Sequence, residues 1–172
     1  FEALGESEKA LESYRRALEY DTEFIAALNN MGNTLRSLGR INEAINSYNA
    51  ALTIDPDFLD ALFNLGHAYK ESGGFDQAIN LYNRVLEISS DHPGALRQLG
   101  SLKALKCSPK KIYRLRAKLN DDISDKDCAD LAFALAKIDE DDGRSNEMFN
   151  MLAVGNAVKR KNLNYNSAKE GL

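Results

Sequence analysis

Three blocks of the 172-residue chain, GESEKALESYRRALEYD, GRINEAINSYNAALTID and GGFDQAINLYNRVLEIS, fall into register when the sequence is written against itself. Their leading glycines, Gly5, Gly39 and Gly73, stand 34 residues apart, and the same step joins Ala10, Ala44 and Ala78, Tyr14, Tyr48 and Tyr82, and Leu18, Leu52 and Leu86. A second set of columns, Gly32, Gly66 and Gly100 with Leu28, Leu62 and Leu96, keeps that period. A fixed step of this length restricts the chain to a stack of small units. Each buries its apolar face only against its neighbours.

Each unit divides into two amphipathic stretches. Leu28, Met31, Gly32 and Leu35 follow the i, i+3, i+4, i+7 rule of one helical face, and Ala44, Ile45, Tyr48, Ala51 and Leu52 do the same further on. Gly39 between them suits the left-handed residue that ends a helix, whereas Asp55 and Pro56 stop the second helix. The small residues Gly32 and Ala44 allow the paired helices to approach closely. The expected fold class is therefore an all-α solenoid, a right-handed superhelix of antiparallel helix pairs.

The order Leu62, Leu65-Gly66, Tyr69, Ala78 and Tyr82 resembles the tetratricopeptide repeat family. Leu28 and Leu62 replace that family's tryptophan, and Ser90 stands in place of its proline. The resemblance covers residues 1–106: part of a unit over 1–24, full units over 25–58 and 59–92, and the first helix of a fourth over 93–106. It implies a scaffold for protein–protein interaction and no active site in this segment.

Beyond residue 106 the repeat degenerates. Ser108 and Pro109 give a helix start, a hydroxyl cap followed by proline in the first turn, ahead of KKIYRLRAKL. Residues 107–125 are expected to be a basic helix and an acidic linker. Residues 126–172 are expected to be a degenerate helical pair and tail, with Met148, Phe149, Leu152 and Val154 in helical register. FALAKIDEDDG followed by MFNMLAVGNAVKR, with Gly155-Asn156 and then Lys159-Arg160, resembles the last repeat of bacterial proteins that join tetratricopeptide repeats to a sulfotransferase. That resemblance implies the alternative function, an accessory region presenting substrate or partners to a catalytic domain elsewhere.

A net charge of -4 and a pI near 5.3 argue against a general nucleic-acid binder, which needs a basic face. No run of about 18 apolar residues is present to span a membrane. Cys107 and Cys128 sit in no metal-spaced cluster, and His67 and His92 lack a third ligand, so no metal or cofactor is expected. Reduced thiols fit a cytoplasmic location.

Between the core columns runs a polar stripe: Asn29, Asn30, Asn33 and Arg36, then Phe63, Asn64, His67 and Lys70, then Arg97 and Gln98. In the resembled family these faces line a concave groove that holds extended peptides, and Asn30 and Asn64 resemble the asparagine ladder of O-linked N-acetylglucosamine transferase repeats. A carboxamide both donates and accepts, which suits it to a peptide backbone of any sequence. Phe63 is a plausible anchor within the stripe. The clamp that some relatives use for acidic chaperone tails is not expected. Asn33 and Asn64 match it, but Asn29, Gly94 and Gln98 occupy its basic columns.

Lys110, Lys111, Arg114, Arg116 and Lys118 are expected to pair with the following Asp121, Asp122 and Asp125 or to stay solvated, rather than to bind nucleic acid or membrane. Asp139 and Asp141 are expected at a helix end. The chain opens within a helix, so the apolar flank of ESYRRALEY is expected to be covered by another chain.

Overall fold

The computed structural model describes residues 2–105 and 107–169. Phe1, Lys106 and residues 170–172, which carry the expected helix opening, part of a boundary and the end of the tail, lie outside them. The described residues form α-helices and turns with no strand, in two compact units, Phe1–Ile88 and Ser89–Leu172.

The first unit holds α1 (Glu2–Tyr20), α2 (Ile25–Ser37), α3 (Ile41–Ile54), α4 (Leu59–Glu71) and α5 (Phe75–Ile88). Helices α2 and α3 form one hairpin and α4 and α5 the next, and α3 packs on α4 as α1 does on α2. Gly39 and Gly73 close the hairpins at φ +74° and +85°, a conformation that costs a side chain dearly. Around Gly39 the backbone N–H of Arg40 donates to the Leu35 carbonyl and that of Gly39 to Arg36, each at 2.9 Å. These are the crossed bonds of a helix ending on a left-handed residue.

Tyr48 and Tyr82 are fully buried. Each ring lies over the glycine of its hairpin partner: a Cβ added at Gly32 would stand 2.5 Å from Tyr48 Cε1, and one at Gly66 would stand 2.6 Å from Tyr82 Cε1. The recurring glycine and tyrosine columns are thus one contact, a notch and the ring that fills it. Leu11, Leu35, Ala44, Tyr48, Leu65 and Ala68 join these hairpins into a shared core. Asp55 ends α3 through its side chain, which accepts from the N–H of Asp57 at 3.0 Å, and Asp21 does the same for Glu23.

The second unit holds α6 (Pro93–Ser101), α7 (Pro109–Lys118), α8 (Asp125–Asp141) and α9 (Ser145–Lys169). His92 caps α6 by accepting from the Ala95 N–H at 3.1 Å, Ser108 caps α7 from Lys111, and Ser124 caps α8 from Asp127. Helix α6 packs on α8, and α8 pairs with α9. Gly100 occupies the notch column, but no tyrosine fills it; the Lys137 stem from α8 lies at 3.4 Å from the position of a Cβ. The α8–α9 hairpin inverts the rule, with the large ring, Phe133, on the first helix and the glycine, Gly155, on the second.

That inversion corrects the expected register of α9. The inward stripe runs through half-buried Met148 and Leu152 to buried Gly155, whereas Phe149 is 63% exposed. Asp139 stands in the last turn of α8, at a helix end as expected, but it is fully buried, and its Oδ1 accepts from Arg116 Nη2 at 2.5 Å and Arg144 Nε at 2.9 Å. The α7 cations pair internally or stay solvated, as expected, but among the described residues their partners are acids outside the linker. Lys118 pairs with Asp91, Arg116 with Asp139, and Asp125 with Lys161.

Candidate partner-binding face

The polar stripe of α2 and α4 is knitted sideways. The Asn64 carboxamide donates to Asn29 Oδ1 at 3.0 Å and Arg36 Nη1 to Glu71 Oε1 at 2.5 Å, so each bond joins residues 35 apart. A period of 34 places equivalent residues on neighbouring first helices, and one further residue brings side chains into reach. Asn29 is buried at 6% exposure and serves this inter-repeat bond, whereas Asn30 is exposed and Asn64 half-buried.

Asn33 accepts from the Tyr48 hydroxyl at 2.8 Å, which ties the stripe to the ring in the Gly32 notch. Burial holds the Tyr48 hydroxyl above its ordinary range despite nearby Arg36. Burial opposes the Arg36 charge, yet hydrogen bonds to Glu71 and Tyr48 outweigh it and keep the guanidinium firmly protonated.

In the next repeat aromatic groups take these columns. Phe63 stands where Asn29 does and His67 where Asn33 does. Their rings meet edge to face at 4.6 Å, and both approach Tyr82, at 5.7 and 5.8 Å. Phe63 is therefore half-buried against its own repeat. Burial raises the Tyr82 hydroxyl well above its ordinary value, and it has no hydrogen-bond partner among the described residues; the same holds for Arg36 Nε. Lys70 is half-buried at the far end of the stripe.

Within the second unit Arg97 Nη1 donates to Asp130 Oδ1 at 2.7 Å, with its guanidinium 6.0 Å from the Phe133 ring centre, and Gln98 is buried. These contacts join α6 to α8. Asp130 carried no signal in the sequence, because the partner of Arg97 lies in a stretch where the 34-residue period has lapsed.

This geometry defines a helical-hairpin repeat protein of the solenoid class. The repeats are tetratricopeptide repeats: residues 1–24 and 59–92 match the family described as Tetratricopeptide repeat, and residues 32–73 match the family described as TPR repeat. No curated protein sequence matches the chain significantly. Among solved structures the chain is similar to MamA, at TM-score 0.64 and 19% identity over 95% of each chain. It is also similar to a tetratricopeptide repeat protein from Parabacteroides merdae, at TM-score 0.63 and 22% identity over 88% of this chain and 59% of that one. A third is a Podosopora anserina putative kinesin light chain with nearly identical TPR-like repeats, at TM-score 0.62 and 14% identity over 93% and 90%. These likenesses establish the fold. The resemblance to sulfotransferase-linked repeats gains no support from them. No helix among the described residues is long and apolar enough to cross a membrane.

Proposed function

We propose that the α2 and α4 stripe of the first unit binds an extended segment of a partner protein, with recognition rather than catalysis as its mechanism. Tetratricopeptide repeats generally mediate protein–protein interaction. The observation that carries the reading to this face is the Asn29–Asn64 bond. It fixes the orientation of the Asn64 carboxamide, which has further donor and acceptor capacity for a peptide group. A fixed amide loses less rotamer freedom on binding than a free one. Asn30 beside it is exposed and offers a second carboxamide.

The test is a peptide array followed by titration of the best binder against the chain and against Asn30→Ala, Asn64→Ala. Loss of binding with unchanged helical circular dichroism supports the groove. Equal binding by both proteins removes it.

The accessory reading, repeats serving a catalytic domain elsewhere, rests on the C-terminal resemblance. Gly155, which prompted it, has a local structural role as the seat of Phe133.

A further inference from the structure

We infer that a cavity along α7 in the second unit is a separate binding site for an acidic peptide segment of a partner protein. The cavity, about 510 Å³, is lined by Ser90, Ser108, Lys110, Lys111, Arg114 and Lys118, with Asp91 as its one carboxylate. That carboxylate is already engaged, since Lys118 bonds to it and holds its pKa below the ordinary range. Lys110 and Arg114 make no ion pair among the described residues and are exposed. The chain as a whole is acidic, at -4, so concentrated positive charge in one cavity is a local feature and not a reflection of composition.

Spacing selects the ligand. Lys110, Lys111, Arg114 and Lys118 follow one another along one flank of α7, and residues 110 to 118 span about 12 Å at 1.5 Å per residue. A compact anion such as phosphate reaches only one end of such a row. An extended peptide covers the same length with about four residues at 3.3 Å each, and its alternate side chains face the row, so carboxylates two residues apart meet successive cations. Ser90 and Ser108 offer hydroxyls to the backbone between them. The cavity volume lies within the range of sites that take short ligands.

The experiment is fluorescence anisotropy with a labelled Glu-rich peptide, its Gln-for-Glu copy and an oligonucleotide of equal charge, using the full chain and the triple variant Lys110→Ala, Lys111→Ala, Arg114→Ala. The Glu-rich peptide should bind, weaken with added salt, and lose at least ~tenfold in affinity in the variant. The Gln copy should not bind. Absence of binding, an unchanged affinity in the triple variant, or an oligonucleotide bound as tightly as the peptide would overturn the assignment. Amide chemical shifts of the unsubstituted chain give a reading independent of the variant's folding. Perturbation by the Glu-rich peptide must centre on residues 108–118, and a different centre overturns the site.

Discussion

Phe133 of α8 rests on Gly155 of α9, where an added Cβ would stand 2.9 Å from the ring Cζ, the reverse of Tyr48 on Gly32. One rule, a ring in a glycine notch, holds both hairpins closed, and which helix carries the ring is free to change. A side chain at such a notch must push aside a packed ring, fully buried for Tyr48 and Tyr82 and half-buried for Phe133. Gly32→Ala, Gly66→Ala and Gly155→Ala are each expected to destabilise the chain by about 1–3 kcal/mol in urea unfolding. Gly5 has nothing within 4 Å of a Cβ and lies inside α1, so Gly5→Ala is the control and should be neutral or stabilising by up to about 1 kcal/mol.

Asp139 joins α7 to the turn after α8. Its carboxylate is fully buried between Arg116 and Arg144, so Asp139→Ala leaves Arg116 without its anion and Arg144 with Asp142 alone. The guanidinium groups left behind are about a third exposed, so the cost is that of lost charge-assisted hydrogen bonds and packing, about 1.5–3 kcal/mol, read in the unfolding of the second unit. A cost comparable with that of an exposed ion pair, under about 1 kcal/mol, would contradict the arrangement.

The Asp91–Lys118 pair makes a pH prediction. Lys118 is the main cause of Asp91's lowered pKa, with burial opposing it. A depressed carboxylate contributes stability that is complete above its unfolded value, near 3.8, and is lost as pH falls through the lower folded value. Lys118→Ala should therefore raise the Asp91 titration midpoint, followed by side-chain NMR, and lower stability at neutral pH by no more than about 1 kcal/mol, because the pair is part-exposed.

The flank of α1 supplies a prediction on assembly. Ala10, Tyr14 and Ala17 are only half-buried, whereas their repeat equivalents Ala44, Tyr48 and Ala51 are fully buried. We propose that a second copy covers this flank. Sedimentation velocity should show a concentration-dependent dimer that Tyr14→Glu abolishes; a monomer in both proteins contradicts it.

Much of the fold was legible in the sequence because each repeat states its contacts twice over. The columns of Gly32 and Tyr48 lie at fixed offsets, and the turn glycine Gly39 falls between two helical faces. The sideways bonds were less legible, since Asn29 and Asn64 look alike as polar stripe residues until packing buries one and leaves the other half-buried. Beyond residue 106 the period lapses. The inversion at Phe133 and Gly155 then moves the ring to the other helix, so Phe149, in helical register with its neighbours in the sequence, lies exposed, and the burial of Asp139 at the end of α8 had no signal. The partner of the α7 cations was also hidden, because Asp91 precedes α7 in the chain while the abundant acids that follow it do not pair there.

The central claim is that α2 and α4 carry the partner-binding face. The most direct test is NMR mapping on the isotopically labelled chain with the peptide selected from the array. Shifts confined to α2 and α4, including the Asn30 and Asn64 side-chain amides, are the expected result. Perturbations centred elsewhere, with those amides unmoved, would contradict the account.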